Sequence, residues 1–157
     1  MPAFQTTRRV PFTAQQMFAL VADVERYPEF VPLCEGLRVT GRAREGDVDV
    51  LIADMDVGYK AIRETFTSRV TLEPDKTRVS VEALAGPFRY LDNRWSFDPV
   101  AGGCDVHFHM SYEIRSLMLQ MLAGAVLEQA FRRFAEAFEE RARHIYGAPL
   151  TDKLSQA

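Results

Sequence analysis

The apolar residues of this chain change their spacing twice, and that double change limits the fold more than any other feature. Between Phe12 and Val24 they recur every three or four positions, through Met17, Phe18, Leu20 and Val21. From Leu37 to Ile114 they recur every second position, and from about Ser116 the helical spacing returns. A period near 3.6 marks a helix with one buried face, and a period of two marks half-buried strands. Helix, then a long run of strands, then helix is the pattern of an α+β domain.

Local signals divide these stretches. Phe4 to Val10 reads as a first strand ended by Pro11. Thr13-Ala14-Gln15-Gln16 fits a capping box at the start of a helix, with Phe12 and Met17 placed as a hydrophobic staple. Asp23 is placed to cap a further short turn, and Pro28 and Pro32 interrupt regular structure around Tyr27, Phe30 and Val31. Leu37, Val39 and Ala43 then alternate with Arg38, Thr40, Arg42 and Arg44. Turns are expected at Glu45-Gly46-Asp47, Gly58-Tyr59, Pro74-Asp75-Lys76, Gly86-Pro87 and Gly102-Gly103. The last strand alternates Val106, Phe108, Met110, Tyr112 and Ile114 against Asp105, His107, His109, Ser111 and Glu113. Leu127, Phe131, Phe134, Phe138 and Ile145 mark the buried stripe of a closing helix, with Gly147 and Pro149 as stop signals.

Short hairpin loops make the strands antiparallel neighbours. The expected fold is a curved seven-stranded antiparallel sheet wrapped around one long C-terminal helix, with one or two short helices after the first strand. A single helix does not fill a wide curved groove, so an apolar gap suited to a small molecule is expected. Residues 1–150 form the expected domain and 151–157 a flexible tail.

Composition excludes several functions. With 47% hydrophobic residues the chain can build a core, and its net charge of −3 opposes general binding to DNA. Among 19 basic residues only Lys60, Lys76 and Lys153 are lysines. Cys34 and Cys104 are neither a disulfide framework nor spaced as metal ligands. With no signal-like stretch at the start, the expected location is the cytoplasm, including the inner-membrane surface. No serine elbow, phosphate loop or dinucleotide motif is present, so an enzyme is not expected.

Three ordered blocks carry a resemblance. Phe18 to Cys34 (FALVADVERYPEFVPLC), Gly58 to Val70 (GYKAIRETFTSRV) and Gly86-Pro87-Phe88-Arg89-Tyr90-Leu91 through Trp95-Ser96-Phe97 resemble the coenzyme-Q-binding, polyketide-cyclase-like family of START-like domains. The resemblance spans about Phe4 to Tyr146, with Leu33 where the family often has Trp. It implies a helix-grip fold with an interior cavity. It further implies non-enzymatic binding of ubiquinone or a similar prenylated lipid in support of respiratory electron transport. No cofactor is required; ubiquinone is the expected ligand. Other members imply a toxin that binds the large ribosomal subunit and blocks subunit joining, and related folds include cyclases.

Candidate functional residues fall in several places along the chain. Tyr27, Phe30 and Pro32 either rim the cavity and touch a bilayer during loading or pack under the sheet. Met118, Met121 and Leu122, flanked by Leu117 and Leu119, open the last helix with apolar residues nearly all round. They form a mobile lid, a transient membrane contact or a dimer interface. His107 and His109 share a strand face and are expected in solvent, since no third metal ligand is placed with them. Glu64 has the inward parity of Ile62, Phe66 and Val70, while Arg89 and Asn93 share parity with Leu91, Trp95 and Phe97. Glu64 is therefore expected to approach Arg89 or Asn93, either as a structural pair or as the contact for a quinone head group. The tail would lie along Phe66, Trp95, Phe108 and the long helix. For a ribosomal partner, Arg38, Arg42 and Arg44 form an expected basic stripe on one strand face.

Overall fold

The computed structural model describes residues 3–147. Strand β1 (Ala3–Val10) leads into helix α1 (Ala14–Ala22) and a 3-10 turn over Val24–Glu29. Six strands come next: β2 (Cys34–Glu45), β3 (Val48–Tyr59), β4 (Ile62–Glu73), β5 (Arg78–Ala85), β6 (Phe88–Val100) and β7 (Gly103–Ile114). Helices α2 (Leu117–Arg132) and α3 (Phe134–Tyr146) close the described chain. The seven strands form one sheet in the order β1-β7-β6-β5-β4-β3-β2, antiparallel throughout. Hairpins build the meander from β2 to β7, as the short loops require, and β1 pairs with β7 across the length of the chain. The expected tail over 151–157 and the stop signal at Pro149 lie outside the described residues.

The start of α1 forms as its sequence dictates. The Gln16 amide donates to Thr13 Oγ1 at 3.0 Å, and the Thr13 amide donates to Gln16 Oε1 at 2.9 Å. Phe12 and Met17 are both buried where the staple places them. Asp23, however, makes no side-chain cap to the following 3-10 turn.

Every second residue of β4, of β7 and of β6 from Leu91 to Phe97 faces the inner side. One inner row runs Leu51–Val70–Val81–Asn93–Met110 across five strands, and a parallel one joins Leu72, Val79, Trp95 and Phe108. The outer side carries His107 and His109. His107 Nδ1 meets Thr7 Oγ1 at 3.0 Å and its Nε2 meets Asp98 Oδ2 at 2.8 Å, joining β1, β6 and β7. Both histidines are half-buried and no cluster able to hold a metal occurs among the described residues.

Three further local expectations are corrected. The single closing helix is two: at Arg133 the ladder tightens to an i→i−3 bond onto Ala130, and α3 restarts with Ala137 donating to Arg133. The stripe of α3 ends on Tyr146, which packs on Phe12 at 6.1 Å, while Ile145 is exposed. Continuing by fours from Phe134 through Phe138 and Ala142 reaches Tyr146, so Ile145 rotates off the face. The β3–β4 turn falls on Lys60-Ala61, with Lys60 at φ 54°, because Gly58 stays in the ladder opposite Arg63. A Cβ at Gly58 would strike the Glu35 carboxylate, which pairs with Arg63 at 3.0 Å.

Candidate functional site

The inner face of β3–β7, the 3-10 turn and helices α2 and α3 enclose a cavity of about 60 Å³. One aromatic network frames it. Trp95 meets Phe108 at 4.7 Å and Phe138 at 4.9 Å, and Phe131 meets Tyr112 at 4.8 Å and Phe134 at 5.3 Å. Such ring pairs add stability beyond simple burial. Small residues at Ala53, Ser68 and Ala130 leave the space that the rings do not fill.

The sequence-predicted residues separate into three groups. Tyr27, Pro32, Phe66, Asn93 and Trp95 line the cavity. Phe30 and Phe108 stand behind it: Phe30 packs on Phe138 at 4.9 Å and Phe108 supports Trp95. Met118, Met121 and Leu122 do not line it; they are 71%, 79% and 62% exposed on the first turns of α2. The helix covers the cavity instead with Leu127, Ala130 and Phe131. Lining residues that pattern reading did not single out include Leu37, Met55, Ser68 and Met110. Inward strand parity was the signal available for Met55, Ser68 and Met110.

The expected approach of Glu64 to Arg89 or Asn93 does not occur. Glu64 is exposed in a small hollow at the cavity mouth with Leu33, Ile62, Pro87 and Leu127, and it has no ion pair among the described residues. Its parity is inward, but it lies one inward position beyond Phe66, toward the open end of β4 and away from the packed rings. Arg89 is the extra residue of a β-bulge between Phe88 and Tyr90, which turns it outward toward Glu113 at 3.8 Å. Asn93 is buried, and its partners are Trp95 Nε1, which donates to its Oδ1, and the His109 carbonyl, which accepts from its Nδ2, both at 2.9 Å.

The arginine stripe is also corrected. A bulge between Val39 and Gly41 inserts one residue, so Arg38 and Arg42 lie on opposite faces of β2. Arg38 grips Asp56 with two bonds of 2.7 and 3.1 Å, Arg42 reaches Glu25 at 2.7 Å, and Arg44 reaches Asp49 at 3.2 Å. The bonds from Arg38 and then Thr65 hold the Asp56 carboxyl down at about 2. Each of the three arginines is thus already matched to a carboxylate.

The lining offers little acid–base chemistry. Tyr27 is its one titratable side chain; burial pushes its phenol far up and its hydroxyl donates to the Val21 carbonyl. Burial pushes the thiols of Cys34 and Cys104 up to about 11, which keeps both as unreactive thiols near neutral pH. A wider hollow of about 680 Å³ on the outer face has charged walls that pair with each other, as in Arg69–Glu82 at 2.6 Å.

A curved antiparallel sheet gripping C-terminal helices around an apolar cavity defines a START-like helix-grip domain. The chain belongs to the polyketide cyclase / dehydrase and lipid transport family, whose model matches residues 10–139. The ribosome association toxin RatA of Escherichia coli is 32% identical over 149 residues, covering 94% of this chain and 91% of its own. The mitochondrial coenzyme Q-binding protein COQ10 of Drosophila melanogaster is 33% identical over 145 residues, covering 89% of this chain and 58% of its own. An 18 kDa protein of Caulobacter crescentus, solved in solution, is 34% identical with a TM-score of 0.75, covering 94% of this chain and all (100%) of its own. The Zhui aromatase/cyclase of Streptomyces shares the fold, with a TM-score of 0.76 at 16% identity over 94% of this chain and 96% of its own. No described helix is long and apolar enough to cross a membrane.

Proposed function

We propose that the chain binds a hydrophobic small molecule, a prenylated quinone such as ubiquinone, between its sheet and its C-terminal helices. It does so as a binding protein, without catalysis. The observation that carries this reading is the cavity lining, which is apolar apart from Ser68, Asn93 and the tips of Tyr27 and Trp95. An isoprenoid tail gains about 25 cal/mol per Å² of apolar surface removed from water and asks for few polar partners. The same lining carries no carboxylate, histidine, lysine or arginine, which argues against acid–base turnover of a bound substrate.

Volume sets the mechanism of loading. Ligand pockets span about 300–1,000 Å³, so a cavity of about 60 Å³ is a contracted one. The part able to yield is α2, whose inner face is largely small (Ala123, Gly124, Ala130), while its first turns hold exposed Leu117, Met118, Met121 and Leu122. That apolar ridge supports brief contact with a membrane surface while the helix swings out and a lipid enters. Trp95 is the only tryptophan in the chain and lines the cavity, so titration with a short-chain ubiquinone should quench its fluorescence saturably. A flat response across the titration would sink this reading.

Association with the large ribosomal subunit is the second reading, favoured by relatives of nearly full length that are named as ribosome association toxins. Because Arg38, Arg42 and Arg44 are split between faces and paired, a simple basic stripe on β2 does not support it. It predicts co-sedimentation of the protein with ribosomal particles in a density gradient at moderate salt. Free migration at the top of the gradient contradicts it.

A further inference from the structure

Ser68 presents to the cavity a hydroxyl that pairs with no described residue. It is 5% exposed and faces inward from β4 between Ala53 and Ala83. Its oxygen is not among the fully enclosed polar atoms without partners, which among the described residues are Thr6 Oγ1 and Arg141 Nε, so it opens onto the cavity where an occupant can reach it. Asn93 is the second polar group there, and its orientation is fixed. Trp95 Nε1 can only donate, so it selects Oδ1; the His109 carbonyl can only accept, so it selects Nδ2. One amide N–H of Asn93 is therefore uncommitted.

The spacing of the two donors limits what they recognise. Asn93 on β6 lies opposite Val81 on β5, which lies opposite Val70 on β4; Ser68 is one inward position further along. Two strand spacings and a two-residue offset separate the two Cα positions by about 12 Å. Two donors that far apart do not close on one oxygen. They fit a flat ring with acceptor oxygens on opposite edges, lying across the inner face of β5.

We infer that Ser68 and Asn93 form a two-point donor site for a ring bearing carbonyl oxygens on opposite edges, with an apolar tail directed to the mouth beside Leu33 and Leu127. The inference rests on the proposed function and names its polar recognition. It moves the head group from Glu64 at the mouth to the floor of the sheet.

The test is Ser68→Ala in the full chain, measured by titration calorimetry with two probes. One is a ubiquinone with two isoprene units; the other is a benzene ring with the same prenyl chain and no ring oxygens. Removing a hydroxyl that bonds to none of the described residues leaves the melting temperature unchanged or raises it. The quinone should bind Ser68→Ala about five- to tenfold more weakly, the oxygen-free probe as well as it binds wild type. Equal affinity of wild type and variant for the quinone overturns the two-point site and leaves the proposed function standing. If wild type binds neither probe, the proposed function fails and this inference with it. A parallel loss for both probes overturns it as well, because the hydroxyl would then be shaping the cavity and not donating to a carbonyl.

Discussion

Phe138 packs edge-on against Tyr27 at 5.2 Å, Phe30 at 4.9 Å and Trp95 at 4.9 Å, joining the 3-10 turn to the middle of β6. It is fully buried, and the polar atoms of the cluster lie at its edges, where the Tyr27 hydroxyl donates to the Val21 carbonyl and the Arg141 guanidinium sits over the Phe30 ring. Truncation to alanine leaves a hole that rings held by the sheet cannot collapse into, and such losses run to about 3–5 kcal/mol. Phe138→Ala should therefore show that loss in urea denaturation, and a change below about 1 kcal/mol would contradict the packing described. Glu64→Gln is the matched control, because an exposed side chain without a partner should stay within about 0.5 kcal/mol of wild type. The same experiment separates a buried charge pair at Glu64, which parity suggested, from the exposed position the structure gives it.

At the scale of elements, the residues whose environment is set by their nearest neighbours in sequence were legible. The capping box of α1, the alternation of β7 and the Gly46-Asp47 hairpin arise from local chemistry and stand where the pattern puts them. Three features were not legible, each for a physical reason. The bulges at Thr40 and Arg89 add one residue to a strand, and alternation cannot register an extra residue that its own side chain does not betray. The bulge at Thr40 reverses the faces of the residues after it, which is how Arg42 left the face of Arg38; Arg89 is itself the extra residue, which is how it left the cavity. The break between α2 and α3 has no glycine or proline to announce it. The spacing of Phe131, Phe134 and Phe138 is equally good for one helix, so only the docking of these rings onto the curved sheet distinguishes the two. Of the candidate site, the large apolar residues were readable from parity. Ser68 shares the inward parity of Phe66 and Val70, but a small polar side chain among threonines and arginines does not announce a lining role until its strand partners Ala53 and Ala83 are known.

For the whole molecule, surface and interior point to different partners. The surface is rich in matched ion pairs: Arg8 with Glu139, Arg9 with Asp105, Arg38 with Asp56 and Arg141 with Glu29. The exposed pairs among them, Arg9–Asp105 and Arg38–Asp56, add little stability, and the pairing leaves little unbalanced charge to attract a polyanion. The interior holds an apolar hollow beneath a helix with exposed methionines and leucines, an arrangement that a fully packed domain has no need for. The central claim is that this hollow is a binding site, and native mass spectrometry of the protein purified from its own source, followed by lipid extraction, tests it most directly. The account predicts a bound fraction heavier than the apoprotein by the mass of one apolar molecule, with a prenylated quinone in the extract. A single species at the bare chain mass, still bare after incubation with ubiquinone, contradicts it.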